Sequence, residues 1–257
     1  MAKRSAALPL FGGEKKWEAG DWTASDDRVR GGKSQSYLEI SGGIGRFYGN
    51  LDIQTLGGAG FASQRTTGED CSWDLSKYAG IQIAVAKGDK KRYTLTLKDE
   101  LLPTNETNGR EQASISYECD FELPPQTIPG DATDRVVFIP WSSLNATYRG
   151  RLQPDAKPID LEHVKRFSLM MRSFFGTQEG DFSLSIRSIS ALAEVPDQTY
   201  AVAARDSNGL EKGLPAATAR AQPWDKLPVV LVASLCLFAV YYFTGRHSCR
   251  LGPSNVV

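Results

Sequence analysis

The stretch ASISYECDFEL, from Ala113 to Leu123, alternates apolar and polar side chains over its whole length. Successive side chains of a β-strand point to opposite faces, so this period of two is typical of a half-buried strand. The side chains predicted on the buried face are Ile115, Tyr117, Cys119, Phe121 and Leu123. The stretch therefore predicts a strand in a sheet that covers a core on one side and faces solvent on the other.

The same alternation recurs in other short segments, among them Ile81–Val85, Tyr93–Leu97 and Phe182–Ile186. Arg135–Ile139 and Phe167–Phe174 are apolar on both faces and predict more deeply buried strands. Turns rich in Gly, Pro, Asp and Asn separate these segments, and no long segment with helical periodicity precedes residue 227. Many short strands of this kind predict an all-β fold, an antiparallel β-sandwich.

The charge of the chain limits the kinds of partner that it can bind. The 257 residues include 30 basic and 30 acidic side chains, so there is no overall field that would attract nucleic acid. The densest basic run, Lys87–Arg92, lies between two predicted strands and is interpreted as a solvated hairpin turn. We therefore expect no nucleic-acid partner.

Cysteine and glycine patterns give no sign of a metal or a cofactor. The cysteines lack the spacing of a metal site, and Cys119 is predicted to be a small buried side chain. A disulfide between Cys71 and Cys119 is an alternative. The glycine-rich stretches Ser41–Gly49 and Gly57–Gly60 lack the spacing of phosphate-binding loops. We predict no cofactor and no metal.

Side chains suited to catalysis are few. The two histidines are His163, predicted to be a surface or capping residue, and His247, and neither belongs to a nucleophile pattern. Asp70 and Asp74 flank Trp73 and are the candidates for a pair of glycosidase carboxylates. A pair of acids close in sequence is weak support for this chemistry, so we predict that the protein is not an enzyme.

Several sequence blocks occur together in an order that resembles one known family. The blocks are WTASDDRVRGGKSQS (Trp22–Ser36), FYGNL (Phe47–Leu51), GGAGFASQR (Gly57–Arg65), DLSKYAGIQIAV (Asp74–Val85), KRYTLTLKD (Lys91–Asp99), IPWSSL (Ile139–Leu144), RGR (Arg149–Arg151) and GDFSLSIRSI (Gly180–Ile189). They resemble the complex I intermediate-associated protein 30 family over roughly Trp17–Leu192. The resemblance implies a jelly-roll sandwich similar to galactose-binding domains. It also implies a chaperone role in building mitochondrial respiratory complex I, with complex I subunits or assembly intermediates as partners.

The first of these blocks has two interpretations. In the structural one, Asp27 and Arg28 fix an edge of the sandwich, two glycines permit a turn with positive φ, and two serines pair with a neighbouring strand. In the functional one, acidic and arginine side chains line a recognition surface, because arginine suits protein interfaces. The candidate interaction residues are Trp22, Asp26, Arg28, Arg30, Gly31, Gly32, Ser34 and Arg65.

Residues 227–245, LPVVLVASLCLFAVYYFTG, carry no charge. As a helix they would span roughly 28 Å, close to the thickness of the hydrocarbon core of a bilayer. Two tyrosines close the run and basic residues flank it, as is typical at membrane interfaces. We predict one C-terminal transmembrane helix that includes Leu227, Val230, Leu235, Phe238, Tyr241 and Tyr242.

The predicted organisation is an N-terminal extension (1–16), the β-sandwich (17–192), a flexible linker (193–226), the membrane helix (227–245) and a polar tail (246–257). No targeting segment is recognisable near Met1, so we expect a tail-anchored, single-pass protein with its sandwich facing the cytosol. The expected membrane is mitochondrial, with the endoplasmic reticulum as the alternative. A tail-anchored module that binds a protein or a glycan-like ligand is the alternative to an assembly factor.

Overall fold

Two β-sheets pack face to face around one apolar core in the computed structural model. The structure describes residues 7–68, 70–107, 109, 111–125, 135–196 and 200–201. Within these residues the chain forms strands and three short 3₁₀ turns, and none of them is α-helical. The all-β sandwich that the period-two segments predict is confirmed.

The first sheet, sheet A, is built from seven strands of the described chain. They are β1 (Ala7–Gly12), β3 (Gln35–Ser41), β4 (Ile44–Leu51), β6 (Gly80–Gly88), β9 (Arg135–Pro140), β13 (Gly180–Leu192) and β14 (Tyr200–Ala201). The spatial order is β14–β9–β6–β13–β4–β3, and β1 pairs with the second half of β13, beyond the part that pairs with β4. The pairs are antiparallel except that of β14 with β9.

The second sheet, sheet B, is also built from seven strands. They are β2 (Trp22–Ala24), β5 (Phe61–Thr66), β7 (Tyr93–Lys98), β8 (Ser116–Phe121), β10 (Asn145–Tyr148), β11 (Arg151–Leu152) and β12 (Arg166–Arg172). The spatial order is β11–β10–β8–β7–β12–β5–β2, and the pairs are antiparallel. The 3₁₀ turns are Ala19–Asp21, Asp27–Arg30 and Trp141–Ser143.

The core lies between the facing sides of the two sheets. β8 confirms the strand predicted from Ala113–Leu123, because Tyr117, Cys119 and Phe121 are buried in this core. Phe47 of sheet A packs against Phe182 at a ring-centroid distance of 5.0 Å and meets Tyr93 of sheet B at 6.1 Å. Large side chains of this kind remove much apolar surface from water, which is the main stabilising term of a fold without helices.

The outer face of sheet B differs from the sequence prediction. The alternating pattern predicts a solvated outer face, but Thr94, Thr96 and Glu118 on that face are 0%, 4% and 8% exposed. The segment between β7 and β8 folds over part of this face, since Lys98 donates a hydrogen bond to Ser114 Oγ at 3.0 Å. An alternating pattern shows that successive side chains point to opposite faces of a strand. It cannot show whether another segment covers the polar face.

Three predictions from the sequence need correction: one turn and the two ends of the folded unit. Lys87–Arg92 is not a hairpin turn, because β6 and β7 belong to different sheets and the segment connects them. Ala7–Gly12, within the predicted N-terminal extension, forms β1, and Leu10 and Phe11 are buried in the core. Tyr200–Ala201, within the predicted linker, pairs with β9. The folded unit therefore extends beyond 17–192 at both ends.

The predicted membrane helix, residues 227–245, and the polar tail lie outside the described residues. In the part of the chain that the structure describes, no helix has the length and apolar character that a membrane crossing needs. The transmembrane helix stays a prediction from the sequence.

Candidate functional site

The aspartate–serine clasp consists of Asp26, Asp27, Ser34 and Ser36. It lies where the chain passes from β2 in sheet B to β3 in sheet A. Each of the four residues is at most 3% exposed. A buried carboxyl group is costly unless hydrogen bonds compensate it, so the partners of the two aspartates decide what this block does.

Asp26 joins β3 to β5. Its side chain accepts hydrogen bonds from the Ser36 hydroxyl at 2.6 Å, the Ser36 backbone N–H at 3.2 Å and the Ser63 backbone N–H at 2.9 Å. The Arg28 guanidinium adds an ion pair at 3.2 Å from the solvent side. Because Ser36 lies in sheet A and Ser63 in sheet B, one carboxyl group links the two sheets.

Asp27 repeats this link one residue further along. Its side chain accepts from the Ser34 hydroxyl at 2.6 Å, the Ser34 backbone N–H at 3.0 Å and the Phe61 backbone N–H at 3.1 Å. The adjacent carboxyl groups therefore serve positions two residues apart, Ser34 and Ser36 at the start of β3 and Phe61 and Ser63 in β5. Hydrogen bonds to charged groups are the stronger ones, each worth about 1.5–3 kcal/mol net.

The two glycines of the block are needed for different reasons. Gly31 has a φ of 82° and ends the 3₁₀ turn, and a Cβ there would meet nothing within 4 Å. A Cβ on Gly32 would lie 2.2 Å from Asp27 Oδ1. Gly31 therefore provides a left-handed backbone, and Gly32 provides room for the carboxyl group of Asp27.

Trp22 belongs to the core and not to the surface. It is 6% exposed, and its ring lies 4.9 Å from that of Phe11 and 6.0 Å from that of Trp17. Phe11 also packs edge-on against Phe167 of sheet B at 5.6 Å. This aromatic cluster fills the end of the sandwich where β1 and β2 meet.

Arg65 lies on the outer face of sheet B in a compact ion-pair group. Glu111 accepts from Arg65 at 2.9 Å and also pairs with Arg166, whose side chain is 4% exposed. Burial is the main cause that lowers the pKa of the nearby Lys98 ammonium, and the guanidinium of Arg166 adds to it. This partly exposed network links strand β12 to the covering segment through Glu111.

The arginine–aromatic ladder consists of Arg30, Phe61, Arg172, Phe174 and Arg92. The Arg30 guanidinium lies 5.3 Å from the ring centre of Phe61, which is the register partner of Arg172. The guanidinium groups of Arg172 and Arg92 lie 4.8 and 4.6 Å from the ring centre of Phe174. Cations and aromatic rings thus alternate along one end of sheet B, where each stack favours both members.

Acidic side chains hold two arginines of the ladder in place. Arg92 pairs with Glu122 at 3.0 Å, and Arg172 pairs with Glu118 at 2.8 Å and with Asp120. The arginines are therefore oriented before any partner arrives, which reduces the entropy lost on binding.

A strained turn carries the most exposed aromatic side chain of the described residues. Phe174 and Phe175 have φ values of 44° and 57°, and Gly176 follows with 86°. Phe175 is 79% exposed, beside a ladder ring that is only partly buried. Left-handed backbone at a bulky residue costs about 1 kcal/mol or more and persists where the surroundings enforce it.

The surrounding structure does enforce this turn. The Ser173 backbone N–H donates to the Gly60 carbonyl at 3.0 Å, and the Ser173 carbonyl accepts from the Thr177 N–H at 2.9 Å. The Gln178 amide donates to the carbonyls of Arg172 and Arg92 at 2.7 and 2.8 Å. The ring of Phe175 is thus displayed on a rigid support.

The structure separates the predicted interaction residues. Trp22, Asp26, Gly32 and Ser34 lie inside or close beneath the surface, where they support the fold. Arg30 lies in the ladder, and Arg28 faces solvent with 54% of its side chain exposed. Gly31 is exposed, and Arg65 is partly exposed on the outer face of sheet B. Recognition of a partner by these residues stays a prediction.

Sequence reasoning missed most of the ladder. Arg92 lies in the segment that connects β6 to β7. Arg172 is the last residue of β12, and Phe174 lies in the turn that follows it. The signal present in the sequence is SFFG, residues 173–176, in which two adjacent phenylalanines precede a glycine. The sequence predicts a buried strand over Phe167–Phe174, whereas β12 ends at Arg172.

The geometry offers little to catalysis. Hydrogen bonds from Ser76 lower the pKa of the exposed Asp74, which is the opposite of what a general acid needs. Burial raises the pKa of Cys119 to about 12, so its thiol stays protonated. Cys71 and Cys119 are free thiols, so the alternative of a disulfide between them was wrong.

Metal ligands do not come together among the described residues either. His163 is exposed and lies 2.9 Å from Asp160 through its Nδ1, as expected of a surface histidine. The described residues contain no group of three or more His, Cys, Asp or Glu side chains arranged to hold a metal ion.

Comparisons with known proteins place the chain in a family. The sequence model of complex I intermediate-associated protein 30 matches residues 10–186. An uncharacterised protein of Schizosaccharomyces pombe is 42% identical over 199 residues, which cover 75% of this chain and 88% of that protein.

A solved structure supports the fold. The family 11 carbohydrate-binding module of the cellulosomal cellulase Lic26A-Cel5E of Clostridium thermocellum superposes with a TM-score of 0.50 and 13% identity. The match covers 76% of this chain and 98% of the module. At that identity the likeness concerns the sandwich fold alone.

Proposed function

Because the chain belongs to the complex I intermediate-associated protein 30 family, we propose that it is a non-enzymatic assembly factor that binds assembly intermediates of mitochondrial respiratory complex I through its β-sandwich. The observation that carries this proposal is the arginine–aromatic ladder with the exposed Phe175 at its end. Arginine and aromatic side chains dominate the binding energy of protein interfaces.

The ladder has the physical properties of a protein-binding surface. Its guanidinium groups can pair with carboxylates and stack on rings at the same time. Phe175 projects from a turn that hydrogen bonds hold rigid, so little conformational entropy is lost when a partner covers it. Val29, on the neighbouring 3₁₀ turn, is 59% exposed and adds apolar surface. We infer that partners bind at this end of sheet B.

The decisive experiment is affinity capture of the full-length chain from gently solubilised total cell membranes. We expect complex I subunits to co-purify with the wild type and to be reduced about tenfold or more with Phe175→Ser, the effect of losing an interface anchor. Leu152→Ser is the matched control, because Leu152 is 46% exposed on β11 at the opposite edge of the sheet. It should capture as the wild type does.

Two results would contradict the proposal in different ways. Capture without any complex I subunit would remove the assembly function for this chain. Capture that is equal for Phe175→Ser and Leu152→Ser would retain the function and exclude the ladder as its binding surface.

A second function is a tail-anchored module that faces the cytosol and does not act on complex I. The uncharged run at residues 227–245 favours it, because a helix of that length would match the hydrocarbon core of a bilayer. In the same capture experiment, partners from the cytosolic face of the outer membrane or the endoplasmic reticulum, without complex I subunits, would support it.

A further inference from the structure

A groove crosses the outer face of sheet A, on the side of the molecule opposite the ladder's sheet. It has a volume of about 570 Å³ and is open to solvent. β3, β4 and β13 supply its walls, which include Gln35, Tyr37, Arg46, Tyr48, Asn50 and Asp181. These side chains point away from the core, because Phe47 and Leu51 between them point into it.

One wall of the groove is aromatic. Tyr37 and Tyr48 are register partners on β3 and β4, and their rings stack at 5.3 Å with an angle of 29°. The Arg46 guanidinium lies 4.3 Å from the ring centre of Tyr48 and donates a hydrogen bond to Ser183 Oγ at 3.0 Å. Tyr48 is therefore enclosed by its neighbours, whereas Tyr37 is 44% exposed and offers its ring to solvent.

The other wall is polar. It is formed by the cross-strand row that lies two residues along the strands from the row of Tyr37 and Tyr48. Gln35, Asn50 and Asp181 are register neighbours across β3, β4 and β13. The Asn50 amide donates to Asp181 Oδ1 at 2.7 Å, which orients both groups. Rows two residues apart are roughly 7 Å apart along a strand, so a small ring seated on Tyr37 would lie within reach of the polar row.

The floor of the groove is backbone. A Cβ on Gly49 would lie 1.9 Å from the Gln35 carbonyl oxygen, so only glycine lets β3 and β4 approach here. The groove thus combines an aromatic platform, amide groups that both donate and accept, and a carboxylate that accepts, over a flat base. It offers no deep apolar pocket for a side chain.

We propose that this groove binds a neutral saccharide. The apolar C–H face of a sugar ring stacks on Tyr37, and its hydroxyl groups bond to Gln35, Asn50 and Asp181. A neutral ligand fits better than an anion, because the lining holds the carboxylates of Asp181 and Asp89 and its arginine is engaged with Tyr48 and Ser183. This inference does not depend on the assembly function.

The probe is a panel of free neutral oligosaccharides together with the same glycans carried on peptides. The full-length chain is purified in a detergent without a sugar headgroup, so that the detergent does not compete. We expect at least one oligosaccharide to bind the wild type. Binding to the free sugars would identify a saccharide ligand as such, and binding only to the glycopeptides would identify a protein-borne glycan.

The variants test the groove itself. Tyr37→Ala should weaken binding about tenfold or more, through loss of the stacking platform. Tyr148→Ala is the matched control, because Tyr148 is 39% exposed in sheet B and has the Arg149 guanidinium 5.5 Å from its ring centre. A wild type that binds no member of the panel, or equal affinities for Tyr37→Ala and Tyr148→Ala, would overturn the proposal. Thermal melts of both variants exclude loss of folding as the cause.

Discussion

The aspartate–serine clasp and the arginine–aromatic ladder both draw on the same block, Trp22–Ser36, yet they use it in opposite ways. Asp26 and Asp27 are buried and use their carboxyl groups on backbone N–H groups of the two sheets. Arg30, three residues later, is exposed and stacks on Phe61 at the surface. The block therefore contains one half that holds the fold and another half that lies at the surface.

The difference shows why a distinctive block in a sequence is not by itself a functional site. The acidic half is unusual because two adjacent carboxyl groups must each find several donors at a buried position. The arginine half could change with little cost to the fold. Predictions for the two halves therefore differ in size and in kind.

Asp27→Ala should have the largest effect on stability. The substitution leaves the backbone N–H groups of Ser34 and Phe61 without an acceptor in a buried site. We expect a loss of about 3–5 kcal/mol in the free energy of unfolding, measured by urea denaturation. Asp155→Ala, at an exposed position, should stay within about 0.5 kcal/mol. A loss below about 1 kcal/mol for Asp27→Ala would mean that the clasp does not hold the sheets together.

The two glycines give a finer comparison within the block. Gly32→Ala should cost about 1–3 kcal/mol, because its Cβ would press on the Asp27 carboxyl group. Gly31→Ala should cost about 1 kcal/mol, since only its left-handed φ opposes alanine. The unfolding free energies of both variants test the order. The reverse order would show that backbone strain, and not space for Asp27, limits this turn.

Phe175→Gly should separate binding from folding. Glycine adopts a φ of 57° without strain, and the lost ring is 79% exposed, so we expect stability to rise by about 1 kcal/mol. Binding at the ladder should fall in the same variant. Phe174→Gly is the contrast, because that ring stacks between Arg92 and Arg172 and its loss should offset the relief of strain. A destabilised Phe175→Gly would mean that the ring supports the fold.

The sequence predicts strands better than it predicts sites in this molecule, for a physical reason. The alternation in β8 is local, and its apolar side chains Tyr117, Cys119 and Phe121 are buried as predicted. Thr94 is buried where its hydroxyl donates to Asp120, which also pairs with Arg172 of β12, and no local period can show such contacts. The residues of the ladder come from distant parts of the chain, so only the fold brings Arg92 beside Phe174.

The same limit applies to the block Trp22–Ser36. Its pattern is compatible with a support for the fold and with a recognition surface, and the sequence alone leaves both open. Burial decides for each residue separately, and burial depends on β5, which follows some 30 residues later. Gly32 illustrates this dependence, because the Asp27 carboxyl group occupies the place of a Cβ there. Its glycine is therefore required by packing and not by a left-handed φ.

Arg28→Ala and Arg30→Ala should have the smallest effects on stability and test the exposed half of the block. Arg28 pairs with Asp26, but more than half of its side chain faces water, so the pair is screened and worth at most about 1 kcal/mol. Arg30 stacks on Phe61 at an exposed position, where a cation–π contact contributes about 0.5–1 kcal/mol. Urea denaturation should place both variants within about 1 kcal/mol of the wild type. If Arg28→Ala approached the loss expected for Asp27→Ala, Arg28 would belong to the clasp, and of the two arginines Arg30 alone would lie outside it.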